Sequence, residues 1–128
     1  MLRDLMLVGV GGFVGSVARF LVGGWVTQLS AASRFPVGTL AVNAIGCLLI
    51  GAIAGYTEHT NALSPHTRLL VFTGILGGFT TFSAFAFETW FLAREHAWLL
   101  AGTTVITQVV VALGAVWVGH SAAQIALR

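Results

Sequence analysis

Long apolar stretches separated by short polar punctuation organise the chain. Residues 5–26, 37–56, 69–92 and 98–118 are predicted as four membrane-spanning helices. Each is close to the ~20 apolar residues that a bilayer crossing requires. The second and fourth contain no charge. The punctuation falls at 30–34 before Pro36, at 58–68 around Pro65, and at 94–96. Trp25, Tyr56, Trp90, Trp98 and Trp117 fall near the proposed span ends, where amphipathic rings prefer to sit. The first stretch is too long for a cleaved signal peptide and carries Arg19 inside it.

Composition reinforces this reading. Of 128 residues, 57% are hydrophobic and 8% charged, against roughly a quarter charged in soluble domains. The length fits one domain, residues 1–128. Net charge is +2 and all six basic residues are arginines, scattered singly. No basic stripe exists for nucleic acid. Cys47 is the sole cysteine, so a disulfide framework is excluded. With the N-terminus inside, Arg3, Arg68 and Arg128 face in while Arg34 and Arg94 face out. Three against two is almost no orientation bias. Such a chain is able to insert both ways up and to form an antiparallel dimer. The pairs Gly11/Gly15, Gly51/Gly55 and Gly74/Gly78 offer close-packing faces, either within one subunit or between two.

The polar groups inside the spans carry the candidate chemistry. A mid-membrane charge costs roughly 2.5–3.5 kcal/mol on insertion scales, which singles out Arg19 and Glu88. Arg19 either favours an anion or serves as structural glue, capping carbonyls or pairing with Glu88. Glu88, nearer a span end, fits an entrance role. Asn43 lies midway along the second span, with Thr39 one turn earlier on the same face. In the third span, three glycines precede Thr80, Thr81 and Ser83. That is poor material for an unbroken helix, and a break is expected near residues 77–80. Irregular backbone at membrane depth persists only where protein buries it or a wet cavity meets it, and its carbonyls are able to hold a cation. Phe82 and Phe85, three apart, share a helical face with Ser83 beside them. Such a pair is ordinarily core or lipid contact. Presented edge-on, however, the rings offer their positive rim to an anion. With amide and hydroxyl donors from Asn43, Thr39 and Ser83, the pattern describes a path for a small desolvated anion.

The segments GGFVGSVARF, GTLAVNAIG and GGFTTFSAFAFE, in this order, resemble the fluoride channels of the Fluc family, also called CrcB. The resemblance covers the first three spans. It implies an all-α integral membrane fold with a broken third helix, assembled as a dual-topology antiparallel homodimer in the cell's inner (plasma) membrane. It further implies two fluoride pores per dimer and passive, selective export that detoxifies fluoride. By the same resemblance, Asn43, Phe82, Phe85, Ser83, Thr39 and Glu88 line the pore and Arg19 lies near its vestibule. The carbonyls of Gly77 and Thr80 are implied to hold a structural sodium ion at the dimer centre. In the fourth span Thr103, Thr104, Thr107 and Gln108 are polar, and Thr104 and Gln108 share a face and complete the pore set.

Other function classes fit less well. Gly9, Gly11 and Gly15 miss the dinucleotide spacing, which needs glycine at Val14. Glu58, His59, His66, Glu95, His96 and His120 lack tight metal-ligand spacing and read as solvated. A small dual-topology multidrug exporter would need a buried carboxylate in the first span, where Arg19 stands instead. A scaffold subunit would leave the hydroxyls, the amide and the broken helix unexplained.

Overall fold

The computed structural model describes every residue except Asn61, and the side chain of His59 also lies outside the described residues. The chain runs up and down four times. Helix α1 is Leu2–Leu29 and α2 is Val37–Thr60. The third span comprises α3 (Pro65–Arg68), a π-helical stretch Leu69–Leu76, α4 (Gly77–Phe79) and α5 (Phe82–Arg94). Helix α6, Trp98–Ala126, closes the bundle. All four spans are long and apolar enough to cross a membrane. Each extends at one or both ends past the bounds read from hydrophobicity. At 1.5 Å per residue, the 28 residues of α1 reach roughly 40 Å, covering the hydrocarbon core and part of the headgroup layer.

Local chemistry sets the ends. Ser30 Oγ donates to Val26 O at 2.7 Å as α1 stops. Ser64 caps α3 by accepting from Thr67 N at 3.2 Å, with Pro65 in the first turn, where its missing N–H costs nothing. Between α5 and α6, His96 takes a left-handed φ of 59°. Polar contacts between side chains show which ends share a side. His66 lies 3.7 Å from Asp4, and His120 Nε2 lies 2.9 Å from Glu58 Oε2. At the opposite end Arg34 pairs with Glu95. The five end-zone aromatics are all exposed.

Packing is pairwise. Helix α2 lies along α6, and α1 lies along the π stretch and α4, whereas α5 turns to α6. The third span therefore changes partner where its helix breaks. The spaced glycines serve contacts within the chain. Gly11 meets Gly74 Cα, and Gly51 lies against the Val116 backbone. With lipid tails as apolar as leucine, close backbone approach through small residues is what holds such helices together.

Candidate functional site

The site grows from the break in the third span. Thr80 (φ −83°, ψ 159°) and Thr81 (φ −151°, ψ 114°) are extended, a conformation that β-branched side chains favour. The break lies at the end of the expected segment. Gly77 and Gly78 remain helical, and at Gly78 smallness serves the approach of α1: a Cβ there would lie 2.7 Å from Gly12 O. Thr81 restarts the helix as an N-cap, its hydroxyl accepting from Ala84 N at 3.2 Å.

Extended backbone inside a bilayer needs partners, and Asn43 supplies them. Its Oδ1 accepts from Thr81 N at 2.8 Å, and its Nδ2 donates to Thr81 O at 3.1 Å. The side-chain amide thus pairs with Thr81 as a neighbouring strand would. Two carbonyls are released as a result. In a continuous helix Thr81 N would bond Gly77 O, but Asn43 holds it. Likewise Ala84 N would bond Thr80 O, but the Thr81 hydroxyl holds it. Gly77 is also exposed on the chain's surface. Oxygen acceptors freed at membrane depth suit a hard monovalent cation, so these residues fit the sodium expected there.

Asn43 Nδ2 also donates to Gln108 Oε1 at 3.3 Å, drawing α6 into the site. Gln108 is 5% exposed and Thr104 fully buried, its hydroxyl turned to Leu100 O at 2.8 Å. Asn43, Gln108, Phe82, Phe85 and Thr80 line one cavity of about 420 Å³. Phe82 and Phe85 share a face as expected: their centroids lie 5.3 Å apart with planes at 69°, an edge-to-face pair. Phe85 is 9% exposed and Phe82 78%.

On the other flank of Thr81 a second cavity, about 400 Å³, is lined by Arg19, Ser16, Thr39 and Ala84 among others. Thr39 Oγ1 donates to Glu88 Oε1 at 2.7 Å. Glu88 is therefore tied to α2 rather than free to swing toward the interface. Arg19 has no ion-pair partner among the described residues, so the glue role through Glu88 is not realised. Ser83 is exposed, with its Oγ 3.3 Å from the Thr81 hydroxyl.

The structure thus gathers Asn43, Gln108, Phe82, Phe85 and Thr80 on one cavity and Thr39 and Arg19 on the other, with Glu88 held by Thr39. Thr104 lies within the packing and lines neither. Thr81, which lines both, is the residue that sequence reasoning counted toward the break without placing it in the site. Its signal was a threonine directly before the apolar run FSAFAF, the usual place of an N-cap.

Comparison with known proteins gives a consistent result. The family model described as "CrcB-like protein, Camphor Resistance (CrcB)" matches residues 6–120. A relative named fluoride-specific ion channel FluC, from Methylobacillus flagellatus, is 44% identical over 125 residues, 98% of each chain. A protein of the same name from Sulfurovum sp. is 44% identical over 90% of this chain and 89% of its own. Another, from Elusimicrobium minutum, is 39% identical over 99% and 98%.

Proposed function

This chain belongs to the CrcB-like family, and on that premise we propose a mechanism for it as a fluoride-specific ion channel of the cell membrane. It is a multi-pass channel and not an enzyme. The observation that carries the mechanism is the hydrogen-bonded cluster of Asn43, Thr81 and Gln108 lining one cavity with Phe82 and Phe85 at the break. Fluoride gives up strong hydration on leaving water, so the path must replace it with donors held at close range. Amide and hydroxyl donors and the positive rims of aromatic rings provide that without a fixed charge binding the ion too tightly to leave. The polar track consists of Asn43, Gln108, Ser83, Thr39 and Glu88, with Arg19 drawing anions toward its mouth; Thr104, sealed in the packing with its hydroxyl on Leu100 O, stays outside it. Movement along it is passive and removes fluoride from the cell. The exporter alternative lacks its chemistry, since the deep ionisable group of α1 is Arg19.

Liposomes holding the protein should release fluoride rapidly, read by a fluoride electrode, with no chloride release and no coupling to protons. Proton-coupled efflux of organic cations would instead support the exporter.

The working unit is an antiparallel homodimer with two pores. Support comes from the arginine balance and from Gly77 and Phe82, which are exposed at membrane depth and would be covered by a second copy. C-terminal tags should be detected on both sides of the membrane, and detection on a single side would exclude dual topology. Adding several lysines to one loop should bias insertion and lower flux, with recovery when an oppositely biased copy is supplied.

The carbonyls of Gly77 and Thr80 would hold sodium at the dimer centre, where the ion would supply the positive partner these oxygens lack. Replacing sodium with N-methylglucamine at constant ionic strength should weaken the dimer on size-exclusion chromatography. An unchanged dimer would remove sodium from the assembly.

A further inference from the structure

We propose that a groove between α2, α6 and the start of the third span seats an acyl chain of an anionic phospholipid, whose phosphate Arg68 holds at the rim. The inference stands apart from the channel reading and concerns the end of the bundle, away from the break.

The groove has a volume of about 440 Å³. It is lined by Ala52, Ile53 and Tyr56 of α2, Leu63 of the following loop, Val71 of the third span and Ala123 of α6. Apart from the Tyr56 hydroxyl, these side chains are hydrocarbon. Tyr56 stands four residues from the end of α2, Ala123 three from the end of α6, and Val71 six beyond Pro65. At 1.5 Å per residue that is roughly 5–9 Å inside the helix ends, the depth at which acyl chains meet headgroups. Tyr56 is 47% exposed there, as suits an amphipathic ring at the membrane boundary. Water finds too few polar partners on such walls to occupy them. Hydrocarbon fills the groove.

Charge decides which hydrocarbon. Arg68 ends α3, three residues before Val71, and its guanidinium lies 5.7 Å from the centroid of the Phe72 ring. Stacking of that kind occupies one face of the guanidinium and leaves its N–H edges free. Arg68 is exposed, and among the described residues no carboxylate pairs with it. A free planar fork of donors matches a phosphate in two-point contact. Arg3 and Arg128 belong to the same end of the bundle, and clustered arginines at a membrane surface attract anionic lipid. The other candidate occupant, a second copy of this chain, lacks the anion. All four acidic side chains are engaged within the chain: Asp4 with His66, Glu58 with His120, Glu88 with Thr39 and Glu95 with Arg34. Whichever way up a copy lies, it brings Arg68 no free aspartate or glutamate. A phospholipid brings both the chain for the groove and the charge for its rim.

The test is native mass spectrometry of the purified protein in detergent, with equal amounts of dioleoyl phosphatidylglycerol and dioleoyl phosphatidylcholine, which share their chains and differ in net charge. The parent should retain phosphatidylglycerol at least ten-fold over phosphatidylcholine. Arg68→Gln, which keeps a long polar side chain and removes the charge, should bring that preference within two-fold. Ile53→Trp, which fills the groove, should lower retention of both lipids at least five-fold. Should Ile53→Trp fail to fold, Val71→Phe decides in its place with the same expectation. Inorganic phosphate at equal concentration should displace neither lipid. Equal retention of the two lipids by the parent, or an undiminished preference in Arg68→Gln, would overturn the inference. Undiminished retention by a folded protein with the groove filled would do the same, because the chain would then sit elsewhere. Displacement by phosphate would show that Arg68 takes a free anion without the lipid, and also counts against it. If a second copy covers the groove instead, the parent dimer retains no lipid and Ile53→Trp lowers dimer yield, which overturns the inference as well. Fluoride flux measured on the same preparations keeps the two readings apart: a parent that retains phosphatidylglycerol but releases no fluoride brings down the channel reading alone.

Discussion

Replacing Phe82 with isoleucine should leave the yield of folded dimer near that of the parent and lower fluoride flux at least ten-fold, equivalent to about 1.4 kcal/mol of added barrier. The two halves of that expectation have separate origins. Phe82 is 78% exposed on the chain, so shortening it opens no cavity within the subunit, and isoleucine keeps an apolar side chain where a second copy would cover it. What isoleucine removes is the ring quadrupole, with its negative face and positive rim. Phe82 and Phe85 stand at 69° to one another, so each ring holds the other's orientation before an ion arrives. A packing or lipid-contact role predicts the reverse pattern, with flux preserved and any damage confined to expression or assembly. Phe82→Tyr, which keeps the rim, should retain more flux than Phe82→Ile. Phe85 is the less clean probe, because at 9% exposure its truncation also disturbs the core. Well-folded Phe82→Ile channels that conduct like the parent would end the ring-edge mechanism and leave the amides to carry the ion.

Hydrophobic runs made the four spans legible, and glycine followed by threonine made the break legible, because both signals are local. The identity of the residue that breaks was less accessible. Glycine suggests flexibility, yet Gly77 and Gly78 stay helical and the threonines do not. The reason is tertiary: Gly78 is small because the Gly12 backbone lies against it. A sequence shows that a residue is small without showing what presses on it. The same limit applies to Asn43. A lone amide in a charge-free span is a conspicuous polar group, but its pairing with Thr81 runs across 38 positions and its contact with Gln108 across 65. Nothing local marks those distances. The π-helical stretch Leu69–Leu76 left no trace in composition either, for LLVFTGIL reads as ordinary apolar helix. That stretch packs against α1, a contact between residues some sixty apart.

Gly15→Ala should cost most of the folded protein, although alanine is the better helix former by about 1 kcal/mol. The added methyl would overlap the Ile75 carbonyl oxygen and come within 2.8 Å of Phe79 N. Both are backbone atoms, so no rotamer change relieves the clash, and α1 and the third span have to move apart along the π stretch and α4. Forcing extra carbon into packed interiors costs about 1–3 kcal/mol where side chains are able to adjust. A contact between two backbones belongs at or above the top of that range, a large part of the 5–15 kcal/mol that holds an average domain together. Gly12 and Gly24 provide the control on the same helix: a Cβ on either meets nothing within 4 Å inside the chain, so alanine there should be neutral or slightly stabilising to the subunit. Thermal inactivation midpoints and monodisperse yield in detergent would separate the three. The contrast also distinguishes two uses of small residues in a membrane protein. If the small residues of α1 served the approach of a second copy, Gly15→Ala would produce well-folded monomers, and its effect would fade with the dimer. Because Gly15 faces Ile75 of its own chain, the loss should persist in detergent where the chain is monomeric, and a stable Gly15→Ala monomer would show that the contact between α1 and the third span yields far more cheaply than its geometry requires.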